Sequence, residues 1–584
     1  MLMAVLTDTV NSPQLSTSKP HRLTIATETI VTDTQTIRSL DWDRSRFDIE
    51  FGLQNGTTYN SFLIRGEKVA LVDSSHEKFR QLYLDLLHEL IDPTTIDYLI
   101  ISHTEPDHSG LTRDLLDLAP NLTVVGSKVA LQFLDNMVHR PYPKLQVKNG
   151  DTIDLGKGHV LEFVSAPNLH WPDTIFTYDR HTATLFTCDA FGMHYCSEAT
   201  FDENLTRIEG DFRYYYDCLM GPNARSVLAA LKRMEPLGEI STIATGHGPL
   251  LRYNVEEWVS RYRIWSQDQA KAETTVAVCY VSDYGYSDRL SQAISYGITK
   301  TGVNVEMVDL RAAEPQELAE LMGYVSGLVV GTPPAHASEQ VQTAVNTLFA
   351  LAKEKQAIGV FDAYGGNDEP IDSLLNQFRN LGLKIAFPPI RIKDTPQDST
   401  YQLCEESGTD LGQWLTRSDA IKKMKSIDSD LDKALGRLVG GLYIITAQKG
   451  DVRSAMLASW VAQASFEPLG FTVAVAKDRA IEALMQVGDR FVLNVLEEGN
   501  YQGLMKHFLK RFPPGADRFA GIKTQIAANG SPILVEALAY LECEVKSRME
   551  CSDHWVVYCQ VHQGKVSKAD GLTAAHYRKV GNHY

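Results

Sequence analysis

The chain has 584 residues, 44% of them apolar and 22% charged, a globular composition with room for roughly three or four domains that excludes a fibrous or wholly disordered protein. Lys and Arg number 56 against 73 Asp and Glu, a net charge of −17; a surface built for duplex nucleic acid carries the opposite balance, so nucleic acid is not an expected partner. The eight cysteines include no CxxC pair, which sets aside a disulfide framework, a zinc ribbon and a rubredoxin-type iron site and fits a reducing, cytoplasmic compartment.

Residues 1–37 are rich in Thr and Ser with little periodicity and read as an N-terminal tail. Their apolar opening, Met1 to Leu6, lacks a basic flank and meets Asp8 too soon for a secretory signal. No stretch of the chain reaches the roughly 18 consecutive apolar residues of a membrane span. Residues 38–270 alternate short β-rich runs with amphipathic helices at 78–90 and 111–118, the pattern of a layered α/β domain. From 271 to 420 strands at 275–281, 303–310, 327–332, 357–363 and 384–392 alternate with helices at 288–300, 315–322, 338–352, 371–381 and 401–416. Strict alternation of this kind predicts a doubly wound parallel sheet of flavodoxin size. A charged stretch at 421–434 reads as a linker or surface helix. The remainder, 435–584, has strands at 441–447, 469–476, 490–496, 541–549 and 554–562 and predicts a mostly antiparallel barrel.

In the first domain the apolar run Tyr98-Leu-Ile-Ile-Ser leads into His103-Thr-Glu105-Pro-Asp107-His108, which packs four possible metal ligands into six residues. Pro106 is expected to keep regular helix out of this loop, so that His103, Glu105 and Asp107 point to a common side while Asp107 and His108 diverge and one stretch serves two ions. His170 follows the strand-like run 160–164, Asp189 follows 184–187, and His247, between Gly246 and Gly248, follows 240–244. Ligands at the ends of several strands gather at one sheet edge, and glycines beside His247 admit close backbone approach. Singly, each is more often a cap, a turn residue or a satisfied polar group. As a set, imidazole nitrogen and carboxylate oxygen without thiolate suit iron, manganese or zinc.

The order HxExDH, then His, Asp and His at spacings of 67, 19 and 58 residues, resembles the metallo-β-lactamase fold and, within it, the flavodiiron proteins. Hydrolases of that superfamily usually carry a second His where this chain has Glu105; an anionic ligand favours redox work over zinc hydrolysis. The resemblance implies that His103, Glu105 and His170 hold one iron, Asp107 and His247 the other, and that Asp189 bridges them. It gives His108 a supporting place behind the ligands.

The first βα turn of the middle domain, Ser282-Asp-Tyr284-Gly285-Tyr-Ser287, is a hydroxyl-rich loop opening onto a helix, where backbone N–H groups and the positive helix end favour a phosphate. Such a turn is also an ordinary helix start. Two further loops at the same sheet edge are Thr332-Pro333-Pro334 and Tyr364-Gly365-Gly366-Asn367. Together the three resemble flavodoxin binding FMN, with Tyr286 where flavodoxins commonly have Asn. No GxGxxG or Walker A pattern is present. In the last domain the stretch 453–468 and the run 491–495 resemble the flavin-reductase-like split β-barrel, which implies flavin contacts from Ser454, Met456, Ser459, Trp460 and Asn494. Met456 and Trp460 are equally ordinary core residues. Ser552-Asp553-His554 falls where that family has a Gly-Asp-His turn, and implies a nicotinamide contact for His554.

The fold class is thus α/β multidomain: a metallo-β-lactamase-like αββα domain, a flavodoxin-like doubly wound parallel sheet and a flavin-reductase-like split β-barrel. In that order the chain resembles the cyanobacterial diflavin flavoproteins. The resemblance implies two iron ions, FMN in the middle domain and FMN or FAD in the last. It further implies reduction of dioxygen to water with electrons from NAD(P)H or reduced ferredoxin, as an electron sink of photosynthesis, and a head-to-tail homodimer or a hetero-oligomer with a paralogue. The acidic balance disfavours an acidic ferredoxin and weights NAD(P)H as donor. Nitric oxide reduction at the same centre, a zinc-dependent hydrolase and a non-catalytic partner subunit are the competing readings.

Overall fold

The computed structural model describes residues 22–578 apart from 48–50, 283–285, 335–336, 363–369, 393–394, 418–428, 511 and 514. Two compact units emerge: Met1–Ser45 with Asn55–Lys271, and Arg46–Gln54 with Ala272–Tyr584. No helix among the described residues is long and apolar enough to cross a membrane.

The first unit is a pair of facing sheets between helices. Strands β1 (Leu23–Val31), β2 (Thr34–Asp41), β3 (Thr57–Arg65), β4 (Val69–Val72), β5 (Tyr98–Ile100), β6 (Thr123–Gly126) and β7 (Lys144–Gln146) form one sheet in that order, antiparallel as far as β4 and parallel beyond it. The second sheet runs β8 (Thr152–Asp154), β9 (Val160–Ser165), β10 (Ile175–Asp179), β11 (Thr184–Cys188) and β12 (Thr242–Thr245). Period-2 alternation sorts the side chains. Phe62, Ile64 and Val72 meet Phe163 and Phe186 between the sheets, while Leu63, Leu71 and Leu99 pack outward on α1 (Arg80–Leu90), α3 (Thr112–Leu118) and α4 (Lys128–Val138). Strand β1 lies inside the segment expected to be a tail. Its Thr and Ile residues are β-branched strand formers, and it pairs with β2 over nearly its whole length, burying Ile25 and Ile30.

In the second unit a parallel sheet of order β14-β13-β15-β16-β17 is built from β13 (Thr275–Tyr280), β14 (Asn304–Asp309), β15 (Gly327–Gly331), β16 (Ala357–Phe361) and β17 (Lys384–Ile385). Helices α8 (Tyr286–Thr299) and α12 (Asp398–Leu415) cover one face; α9 (Pro315–Tyr324), α10 (Glu339–Leu351) and α11 (Pro370–Asn380) cover the other. This is the doubly wound order whose ligand crevice lies at the carboxyl ends of the strands. The strand expected at 384–392 stops after two residues. Pro388 and Pro389 offer no ladder donor, and pairing resumes only at the single bridge Phe361–Ile390. The seven-stranded antiparallel sheet that follows contains β18 (Tyr443–Lys449), β19 (Val452–Ala458), β20 (Val461–Phe466), β21 (Leu469–Ala476), β22 (Arg490–Val495), β23 (Ala539–Cys551) and β24 (His554–Val566), in the order β19-β18-β22-β23-β24-β21-β20.

Candidate metal centre

Strand β5 delivers the chain to Ser102, whose N–H donates to Asp73 Oδ1 at 2.8 Å, and the next turn is tied down on both sides. The carbonyl of His108 accepts from the Ser74 N–H at 2.7 Å, and the Thr104 N–H donates to Asp173 Oδ2 at 3.0 Å. Pro106 does not exclude helix as expected: its ring supplies the first residue of a one-turn helix, Pro106–Ser109, where no N–H is needed. That turn carries Asp107 and His108 around so that both face the same space as His103 and Glu105.

Two groups of ligand-type atoms result. In the first, His170 Nε2 stands 3.1 Å from Glu105 Oε2 and 2.9 Å from Asp189 Oδ2, with His103 Nε2 at 3.6 and 3.7 Å from the same two oxygens. In the second, Asp189 Oδ1 is 3.0 Å from His108 Nε2 and 3.3 Å from His247 Nε2, and Asp107 Oδ2 is 3.4 Å from His247 Nε2. Asp189 thus turns one carboxylate oxygen to each group. Ligand atoms that each sit ~2.1 Å from a common cation lie ~3–3.6 Å apart, the spacing seen in both groups.

The hydrogen bonding fits ligands as well. Both ring nitrogens of buried His103 lack a hydrogen-bond partner, and the Nε2 atoms of His108 and His247 face each other at 3.1 Å. His247 Nδ1 donates to the Thr58 carbonyl at 2.6 Å, which leaves the Nε2 lone pair for the group. Burial pushes His108 down, but Asp107 and Asp189 outweigh it and lift the imidazole to about 10. Burial raises Asp189, yet His103 and His108 hold its carboxyl well below the usual range. A cation could replace those protons. Cys188 Sγ lies within 4.8 Å of ligand atoms of His103, His108 and Asp189, but burial and the carboxylates of Asp73 and Asp189 drive its thiol well up, so it stays a neutral SH. Gly246 is required here, because a Cβ would come within 2.7 Å of His108 Cε1.

All six expected ligands, His103, Glu105, Asp107, His170, Asp189 and His247, converge. His108, placed behind them by the sequence reading, reaches the second group through Nε2. His194 gave no sequence signal: its Nδ1 shares a 2.7 Å hydrogen bond with Thr57, and its ring lies 4.6 Å from that of His247.

At the flavodoxin-like crevice, the Ser282 and Ser287 hydroxyls are buried without a hydrogen-bond partner at the start of α8, a fit for phosphate. Thr332 donates to Asp362 at 3.1 Å, and Pro333 and Pro334 follow β15 at the same edge. The expected contacts Tyr284, Gly285, Tyr364, Gly365, Gly366 and Asn367 lie outside the described residues. In the barrel, the Ser454 and Ser459 hydroxyls are likewise buried and unpartnered, and Met456 is buried. Trp460 lies between the His554 ring at 5.1 Å and the Arg578 guanidinium at 4.9 Å. The side chain of Asn494, expected at the flavin, is hydrogen-bonded within the barrel. Its amide donates to Ile444 O and Thr446 Oγ1 and accepts from the Leu534 N–H, so it serves the barrel core. A cleft beside Met456 is lined by Asp410, Arg479, Lys510, Phe512 and Arg518, residues that the motif reading missed because they are distant in sequence.

Three family profiles match the chain: the ODP family beta lactamase over residues 57–248, flavodoxin over 278–408 and the flavin reductase like domain over 435–581. Diflavin flavoprotein A 1 of Synechocystis sp. is 70% identical over 96% of this chain and 98% of its own length. A putative diflavin flavoprotein A 3 of Nostoc sp. is 70% identical over 98% of this chain and 100% of its own. The metal-soaked Flv1 flavodiiron core from Synechocystis sp. is 38% identical, covers 68% of this chain and 99% of its own, and superposes with a TM-score of 0.64.

Proposed function

The chain belongs to the diflavin flavoproteins of the flavodiiron family, and from that membership we propose that it reduces dioxygen to water with electrons drawn from NAD(P)H. In this reading two NAD(P)H and two protons convert one dioxygen to two waters. When bound, a flavin accepts hydride and releases single electrons, and an iron pair supplies the redox chemistry at dioxygen. His103, Glu105 and His170 would hold one ion; Asp107, His108 and His247 would hold the other. The observation that carries the reading is the Asp189 carboxylate, with Oδ2 toward the first group and Oδ1 toward the second. Glu105 in place of a second histidine supports redox over hydrolytic work.

The ligands' own surroundings supply the rest of the chemistry this chain controls. Thr58 O fixes the tautomer of His247, and Asp173 and Ser74 lock the loop that carries four of the ligands. The unpaired hydroxyls of Ser282 and Ser287 suit the phosphate of FMN, and those of Ser454 and Ser459, with Arg479 and Lys510 in the cleft beside Met456, suit a second flavin, FMN or FAD. A cytoplasmic location, a role as an electron sink of photosynthesis, and assembly as a head-to-tail homodimer or with a paralogue complete the proposal. The test is metal and flavin analysis of the purified protein, followed by oxygen-electrode and nitric-oxide-electrode rates with NADPH. About two irons and two flavins per chain with dioxygen the faster substrate support it. Zinc without flavin, or a faster rate on nitric oxide, overturns it.

A further inference from the structure

Helix α12 closes the flavodoxin-like sheet with one apolar face, and the opposite face, which would meet water in an isolated domain, is buried and charged. Gln402, Glu405, Glu406 and Asp410 recur at helical spacing and are each 5% exposed or less. Across from them lie residues of the barrel. Lys300, from the loop after α8, reaches both Glu405 and Glu482, and Arg548 on β23 reaches Glu482 and Gln486. Arg518 forks onto Asp410 at 2.7 and 2.8 Å and stands 3.3 Å from Glu406. At the N-terminal end of α12, Lys449 of the barrel lies 3.4 Å from Asp398 and 3.2 Å from Asp489. Arg46, Phe51 and Gln54 pack into the same seam: Arg46 pairs with Asp489 at 3.1 Å, Gln54 donates to the Arg548 carbonyl at 2.9 Å, and Phe51 meets the Tyr296 ring edge-on.

Buried ion pairs add little net stability, because the cost of removing them from water offsets their attraction. Their effect is on geometry. Sliding or rotating the barrel on α12 would set carboxylate against carboxylate in a dry seam, which costs several kcal/mol. We propose that this charged seam locks the barrel and the flavodoxin-like domain into one rigid body, so that electrons pass between them without a swinging domain. Electron passage rests on the flavin reading of the previous section; the locked docking does not.

The docking is tested with spin labels on the exposed positions Lys355 and Lys523, introduced as Lys355→Cys and Lys523→Cys in a Cys551→Ser background, since Cys551 is exposed and the other cysteines are buried. A single narrow distance, unchanged between low and about 0.5 M salt, is expected, because screening reaches exposed pairs and not buried ones. A broad or two-peaked distribution overturns the proposal. Arg518→Met should broaden it, and an equally narrow distribution in that variant also overturns the proposal; should the variant not fold, the parent labels still decide. In the holoprotein, stopped-flow transfer between the flavins should change by less than about twofold as glycerol is added, whereas a gated step slows in proportion to viscosity and would overturn the locked junction. A narrow distance with no flavin bleached by NADPH leaves the seam standing and removes the function reading instead.

Discussion

Around Asp189, four imidazoles and three carboxylates gather with both nitrogens of His103 unpaired and two Nε2 atoms face to face. Around Lys300 and Arg518, an equally dense set of ionisable groups is buried with each cation already forked onto carboxylates. Burial of charge is common to the two regions. The difference is that the seam's carboxylates face cations of the chain itself, Lys300, Arg518 and Arg548, whereas the centre's carboxylates face imidazoles alone, which is where an external cation belongs. Dense buried charge is therefore not by itself a sign of a site; unfinished pairing is.

The sharpest way to break this contrast is to remove the group shared by both halves of the centre. Asp189→Ala is expected to lower oxygen consumption at least ~100-fold and metal content with it, while flavin absorbance stays intact. Unchanged consumption would show that Asp189 is not shared between two ions. In the seam, Arg518→Met leaves the carboxyls of Glu406 and Asp410 buried without their cation and should destabilise the second unit by about 3–5 kcal/mol, read from denaturant unfolding at pH 8, with iron content unaffected. If the loss were under about 1 kcal/mol, the seam would behave as a surface pair and the contrast with the centre would fail.

Metal removal is the next smaller effect and falls on the first unit alone. A ligand at 100–1,000 times its dissociation constant adds about 3–4 kcal/mol, so chelation should lower the melting temperature of that unit by roughly 6–15 °C in calorimetry, with the second unit unmoved. A shift shared equally by both units would mean that the centre is not where the ions bind.

The convergence of His103, Glu105, Asp107, His170, Asp189 and His247 was legible because each follows a strand, and strand ends on one sheet meet at one edge. His108 was harder. Adjacent side chains in an extended loop point apart, and only the helical turn begun by Pro106 brings its Nε2 beside that of His247. The seam was not legible at all. Gln402, Glu405, Glu406 and Asp410 make the polar stripe of an ordinary amphipathic helix, and period 3.6 cannot tell a stripe facing water from one facing a second domain. The same limit hid segment 46–54, whose partners lie several hundred residues away. The side-chain partners of Asn494 were equally hidden, because a polar residue in a motif position gives no sign that it satisfies three core groups.

The smallest effect is the seam's own response to pH. Burial, opposed by Lys300 and reinforced by Glu482, raises the Glu405 carboxyl from 4.5 to about 7. Burial likewise raises Asp410 from 3.8 to about 7 against the pull of Arg518. Below the ordinary pKa both folded and unfolded chains hold these protons, and stability does not depend on them. Between that value and about 7 the unfolded chain has released the proton and the folded chain keeps it, so the contribution is lost as pH rises; above that both states are ionised and the curve is level. Glu405→Gln removes one of these titrations while Glu482 continues to face Lys300. Relative to the parent, the variant's second unit should therefore gain stability from pH 5 to pH 7.5, on the order of 2 kcal/mol across that window. Chemical denaturation at several pH values measures it. A difference between variant and parent that stays flat would mean Glu405 is ionised throughout, with Lys300 and Arg548 balancing the carboxylates of Glu405 and Glu482.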